Sequence, residues 1–154
     1  MTSVYVDGDH CPVKEEVAEI CKAFGITCFF VASFSHYSHH SQVEDKWIYL
    51  EQGKDAVDFY IVGKIKRDDI VVTSDIGLAS LVLEKGAQAI NNIGVVYTKE
   101  TIDELLFTRY MNQKIRDAGG RHKKIPKYTF DDRKNFSINF TNLLSKFKGI
   151  IPFT

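Results

Sequence analysis

The sequence predicts a three-layer α/β/α domain with a mostly parallel sheet of about five strands, extended by C-terminal helices. Three observations predict it. Short apolar runs alternate with segments of helical period, the pattern of βα units rather than of hairpins. The runs VYV, ITCFFVA and DIVVT are continuous instead of alternating, as strands buried on both faces are. The chain has 154 residues, room for one core and little more. One domain over 1–154 is expected, with the α/β core in 1–98 and, in 99–154, C-terminal helices joined by a basic loop.

Val4-Tyr5-Val6 is β-branched and aromatic and ends at Asp7-Gly8-Asp9, a buried strand followed by a turn. Pro12 suits a first helical turn, where its missing N–H is no loss. Val13, Val17, Ile20, Cys21 and Phe24 then recur at helical spacing, and Gly25 closes that helix. Ile26 to Ala32 is the second strand. Ser33 to Gln42 is polar and aperiodic, a loop. Trp47 to Leu50 is the third strand, and Asp55 to Gly63 a helix. Ile70 to Thr73 is the fourth strand, and Ile76 to Glu84 a helix ending near Gly86. Ala87 to Ile90 is a fifth strand, with Gly94 to Tyr97 as an additional candidate.

From Glu100 to Asp117 a long helix is expected, with Ile102, Leu105, Leu106, Tyr110 and Ile115 as its inward face. Gly119 to Thr129 is a basic loop containing Gly and Pro. Phe130 to Phe147 is a last helix, with Phe136, Phe140, Leu143, Leu144 and Phe147 inward and Thr129 or Asp131 as cap.

Composition excludes several classes. Hydrophobic residues make up 44% and charged residues 26%, values that argue against global disorder. No apolar run approaches the ~20 residues of a membrane span. The start MTSVYVDGDH has no basic segment followed by a long apolar one, so no signal peptide is expected and the cytoplasm is the expected location. Cys11, Cys21 and Cys28 form no C-x-x-C pair and are odd in number, which argues for reduced thiols. The net charge is zero, which by itself argues against a nucleic-acid binder. The total hides an asymmetry. Residues 1–108 hold 9 basic and 17 acidic side chains, and residues 109–154 hold 11 and 3.

The acids fall where chemistry is expected. In open parallel sheets ligands bind at the carboxyl ends of strands. Strand one ends in Asp7 and Asp9, and strand four runs into Ser74-Asp75. Asp55 and Asp58 are three apart and share a helix face. Right-handed crossovers would bring these groups to one crevice, where mutual repulsion favours protonation or a hard divalent cation. Asp7, Asp9, Asp55, Asp58 and Asp75 are therefore the expected ligands of Mg²⁺ or Mn²⁺, with Asp7, Asp9, Asp58 and Asp75 as the catalytic set for phosphate-ester chemistry. The alternative is that each Asp is a turn former or helix cap. Ser74 reads first as a cap and second as a metal or phosphate contact. His10 and Cys11 are further crevice candidates. His36, His39 and His40 read best as solvated side chains, and Asp68-Asp69 as a solvated turn at the far end of strand four. No Ser/His/Asp set, Walker loop or G-x-G-x-x-G is present.

The segments VDGDHCP (Asp7, Asp9, Cys11, Pro12), GKDAVDFYIV (Asp55, Asp58, Ile61) and DIVVTSDIGLASLVLEKGAQAIN (Thr73, Asp75, Leu78, Ala79) are collinear motifs. With Tyr97-Thr98, Arg109, Phe130, Asp132-Arg133 and Phe136, they resemble the YaiI/YqxD family of bacterial proteins over about residues 3–147. Gly8 and the stretch Arg121 to Lys127 depart from its pattern. The family is similar to PIN-like nuclease domains, in which an Asp after strand one, a helix acid and an Asp after strand four bind Mg²⁺ or Mn²⁺ for RNA hydrolysis. The resemblance implies a PIN-like fold and those roles for Asp7 with Asp9, Asp58 with Asp55, and Asp75.

Three functions follow as expectations. The first is a metal-dependent ribonuclease, with Arg109, Arg116, Arg121, Lys123, Lys124, Lys127 and Arg133 on phosphates and Tyr110, Tyr128 and His122 available for stacking. The second is a phosphohydrolase of the haloacid-dehalogenase type, with Asp7 of the D-x-D pair as nucleophile, although the expected Thr after that pair is missing. The third is a catalytically silent RNA- or protein-binding module. The expected partner is RNA and not a membrane, and a homo-oligomer is compatible with the sequence.

Overall fold

The structure is a computed structural model that describes residues 2–9, 11–34, 46–51, 55–120 and 127–147. Five strands form one all-parallel sheet: β1 (Ser3–Asp7), β2 (Thr27–Ser33), β3 (Lys46–Leu50), β4 (Ile70–Val72) and β5 (Gln88–Ile90), in the order β3-β2-β1-β4-β5. The helices are α1 (Lys14–Phe24), α2 (Ala56–Lys64), α3 (Ile76–Glu84), α4 (Lys99–Asp117) and α5 (Phe130–Phe147).

Central β1 is tied on both edges. Val4 is in register with Cys28 and Ile70, and Val6 with Phe30 and Val72. Both valines are fully buried. Successive strand residues point to opposite faces, so two cores form. Val4, Val6, Phe30, Ile70, Val72 and Ile90 meet Val17 of α1 and Phe136, Phe140 and Leu144 of α5. On the other face Tyr5, Val31, Val71 and Ala89 meet Val57 and Ile61 of α2 and Leu78 and Val82 of α3. This is the expected three-layer arrangement. Each fully buried Phe or Leu of α5 contributes roughly 1.5–3 kcal/mol of burial, so α5 belongs to the core and is not an appendage.

Local signals explain most boundaries. Gly25 sits at φ 67°, the left-handed conformation that ends α1. At the start of α5 the Thr129 hydroxyl accepts from the Asp132 amide at 3.1 Å, and the Asp132 carboxylate accepts from the Thr129 amide at 2.9 Å. Of the two expected caps Thr129 takes the role, with Asp132 as its reciprocal partner.

Several expectations are corrected. Pro12 lies in the turn before α1, which begins at Lys14. Gly94 to Tyr97 is no strand: it makes one antiparallel bridge, Val96 to Ile90, before Thr98 caps α4. Asp69 is not solvated. It is buried, and its carboxylate accepts from the amides of Ser3 at 2.9 Å and Lys66 at 2.8 Å, which ties the start of β1 to the turn before β4. The inward face expected for α4 is also wrong. Only Ile102 is buried, and Leu105, Leu106, Tyr110 and Ile115 are exposed. At helical pitch these positions spread around the axis, and only the first turns reach the rest of the domain.

No described helix is long and apolar enough to cross a membrane. The His36, His39 and His40 positions and most of the basic loop lie outside the described residues.

Candidate functional site

The chain runs outward from β1 in two directions, through β2 to β3 on one side and through β4 to β5 on the other. The strand order therefore reverses between β1 and β4, and the crevice of such a sheet opens at the carboxyl ends of those two strands. Asp7 ends β1, and Thr73-Ser74-Asp75 follows β4. Asp7 and Thr73 continue the face that carries Tyr5 and Val71, the face covered by α2 and α3.

Four groups meet there. The Thr73 hydroxyl donates to Asp7 Oδ2 at 3.0 Å and accepts from the Asp75 amide at 3.0 Å. The Asp9 amide donates to the Asp7 carboxylate. Asp75 caps α3, with Oδ1 accepting from Gly77 at 2.8 Å and from Leu78 at 3.3 Å. Asp58, in the first turn of α2, lies close enough to Asp75 for the two carboxyl groups to act on each other.

The electrostatics follow from this crowding. Burial first, then the charges of Asp9 and Asp75, push Asp7 up to about 6 against the pull of its Thr73 bond. Burial first, then Asp75, Asp7 and Asp55, push Asp58 up to about 6 as well. Two carboxyls that titrate near neutrality are suited to exchanging protons, or to holding a cation that removes the repulsion.

The other expected residues divide. One Asp9 oxygen accepts from the Ser33 amide at 3.1 Å and lies 3.4 Å from its hydroxyl, which binds the turn after β1 to the end of β2. Asp55 is the N-cap of α2 at φ 66°, the one non-glycine residue with positive φ among those described, and its side chain makes no cap bond. Asp is among the residues that tolerate this conformation. Ser74 is exposed. The Cys11 thiol packs against the α1/α5 core, and burial pushes it up to about 11, so it stays protonated at neutral pH and is a poor nucleophile.

Among the basic candidates, Arg109 and Arg116 are exposed on α4, about 15 and 26 Å along its axis from Lys99. Lys127 is exposed. Arg133 is engaged inside the domain. Its guanidinium donates to the Pro12 carbonyl at 2.6 Å, pairs with Glu16 at 2.8 Å and lies 5.5 Å from the Tyr128 ring centroid. His10, Arg121, His122, Lys123 and Lys124 lie outside the described residues.

Two site residues escaped the sequence reading. In sequence Thr73 is only the end of a strand, yet its hydroxyl joins Asp7 to the Asp75 backbone. The signal available was parity: Thr73 is two residues from Val71, on the same face as Asp7. Tyr97 is buried, and its hydroxyl donates to the Thr73 carbonyl at 3.2 Å. Burial and then the Asp75 charge push that phenol up to about 12. No sequence spacing pairs residues 73 and 97.

Among the described residues no three His, Cys, Asp or Glu side chains form a group that would hold a metal ion as they stand. In donor chemistry the carboxylates fit a hard divalent cation. Every candidate ligand is an oxygen, and Asp7 and Asp58 are raised partly by the like charges that such a cation offsets.

A family model described as "Uncharacterized BCR, YaiI/YqxD family" matches residues 5–146. A UPF0178 protein of Staphylococcus epidermidis is 42% identical over 146 residues, covering 94% of this chain and 98% of that protein. UPF0178 proteins of Bacillus velezensis and Bacillus cytotoxicus are 38% and 37% identical over 148 and 151 residues, covering 96% and 98% of this chain and 88% and 98% of theirs. No solved structure matches the chain.

Proposed function

We propose that this chain, which belongs to the YaiI/YqxD family, is a Mg²⁺- or Mn²⁺-dependent hydrolase of RNA phosphodiesters that works at the carboxylate crevice between β1 and β4. One observation carries the reading: Asp7, Asp58 and Asp75, from three separate elements, act on one another at the strand-order reversal, and two of them are pushed up to about 6.

In this reading Asp7, Asp58 and Asp75 hold the cation, with Asp9 and Asp55 adding negative charge around it. When bound, the cation supplies hydroxide from water and offsets charge on the leaving oxygen. Thr73 orients the Asp7 carboxylate through its hydroxyl. Asp58, pushed up to about 6, would give up its proton on binding the cation. The exposed cations Arg109, Arg116 and Lys127, with Arg121, Lys123 and Lys124 of the basic loop, hold the phosphates of a single strand. Arg133, engaged between α1 and α5, serves the fold instead.

The test is cleavage of end-labelled single-stranded RNA with Mn²⁺. Wild type is expected to cleave, and Asp7→Asn and Asp75→Asn to fall to background. Undiminished cleavage by both variants overturns the assignment.

A further inference from the structure

α4 is the most exposed apolar element of the described chain. Of its 19 residues only Ile102 is buried. Leu106, Phe107, Tyr110 and Met111 remain 41%, 64%, 56% and 41% exposed. At 3.6 residues per turn these four fall within roughly 140° of the helix circumference, to one side of Ile102. Lys99, Asp103, Lys114 and Asp117 fall on the same side. A stripe of this kind on a soluble domain marks an interaction surface.

The order of charges on that stripe identifies what covers it. Two antiparallel copies of α4, related by a twofold axis passing between positions 108 and 109, bring residues whose numbers sum to about 217 opposite each other. Phe107 then lies opposite Tyr110 of the second copy, with Leu106 and Met111 on the two flanks of the seam. The large apolar residues gather at the centre, Asp103 meets Lys114 and Lys99 lies near Asp117, and a twofold repeats each match. Among the described residues no ion pair within the chain occupies Lys99, Asp103 or Lys114. Lys114 lies 5.5 Å from the Tyr110 ring centroid, so it is already drawn over the apolar stripe. A polyanion would not need the acids on this face, and an unrelated partner gives no reason for the symmetry about position 108.5.

We propose that the chain forms an antiparallel homodimer through α4, with Leu106, Phe107, Tyr110 and Met111 at its centre and reciprocal Asp103–Lys114 pairs flanking them. This is independent of any activity at the carboxylate crevice.

Sedimentation velocity of the full chain over a micromolar to submillimolar series tests it. A dimer is expected for wild type. Phe107→Glu is expected to weaken it at least ~10-fold, because it places a charge at the centre of the interface. Asp103→Lys and Lys114→Asp are each expected to weaken it, and the combined variant to restore it. Circular dichroism confirms the helical content of each variant. A chain that stays monomeric throughout, or a dimer indifferent to Phe107→Glu, overturns the proposal. So does a combined charge variant that remains as weak as the single ones. The charge variants are surface changes, so the outcome can still be read if Phe107→Glu misfolds.

Discussion

The Thr73 hydroxyl donates to the Asp7 carboxylate at 3.0 Å, and its oxygen accepts the Asp75 amide at the same distance. One buried side chain thus links the end of β1 to the turn that starts α3. It joins the acid that ends β1 to the residue that caps the neighbouring helix.

Replacing that hydroxyl by a methyl group removes both bonds at nearly constant volume. Thr73→Val leaves the Asp75 amide and one Asp7 oxygen without their partner. It should cost about 1–3 kcal/mol in urea unfolding. The bond holds Asp7 down, so its loss should raise the Asp7 titration above wild type when the carboxyl carbons are followed by NMR. Thr73→Ser should restore both readouts, and no change in Thr73→Val would refute the link.

Asp7 and Asp58 impose a pH dependence of definite sign. Both are raised in the folded chain, from 3.8 to about 6. The folded state therefore binds protons more tightly than the unfolded one between about pH 4 and 6. The stability this provides is complete below the unfolded value and is lost as pH rises through about 6. Metal-free protein should lose stability across that window. Asp7→Asn should flatten the slope and gain ~1 kcal/mol at pH 7.5, after allowance for partial exposure. Denaturant titrations at pH 5 and 7.5 check the sign, and an opposite slope that Asp7→Asn leaves unchanged refutes it.

A divalent cation should remove the same penalty. Calorimetric titration with Mn²⁺ at pH 6 is expected to show binding with proton release, and binding should be lost in Asp58→Asn. RNA should be added in a second series, because its phosphates complete weak sites. Absence of heat in both series would favour a silent binding module. A beryllium fluoride adduct on Asp7 would instead favour the phosphoaspartate chemistry of haloacid-dehalogenase-type enzymes.

Arg133 should behave as a clasp and not as a phosphate contact. Its bonds to the Pro12 carbonyl and Glu16 hold α5 against the start of α1. Arg133→Ala removes the partner of Glu16 Oε1, whose neighbour Oε2 is already buried without one, and should cost ~1–2 kcal/mol. RNA affinity at fixed salt should change little. Arg109→Ala and Arg116→Ala should do the reverse, leaving stability within ~0.5 kcal/mol and weakening RNA binding.

Buried strands and a buried helix were legible because burial writes itself into composition. ITCFFVA and DIVVT could be little else, and the Phe136/Phe140/Leu144 spacing marked α5 and its inward face. Strand-end acids were legible for the same local reason: Asp7 and Asp75 stand where a parallel strand stops. The same reasoning failed on α4, whose apolar residues met no partner within the domain, and on Asp69, whose burial depends on Ser3, 66 residues away.

By itself the sequence determined the α/β class, the strand and helix order and the list of acids, because local periodicity and strand-end position record them. Only the tertiary structure decided the strand order β3-β2-β1-β4-β5 and the meeting of Asp7, Asp58 and Asp75. It also assigned Thr73 and Tyr97 to the crevice and Arg133 to the fold. The physical reason is range. Periodicity is fixed over a few residues, whereas a hydrogen bond or a raised carboxyl depends on which distant groups share a low-dielectric space.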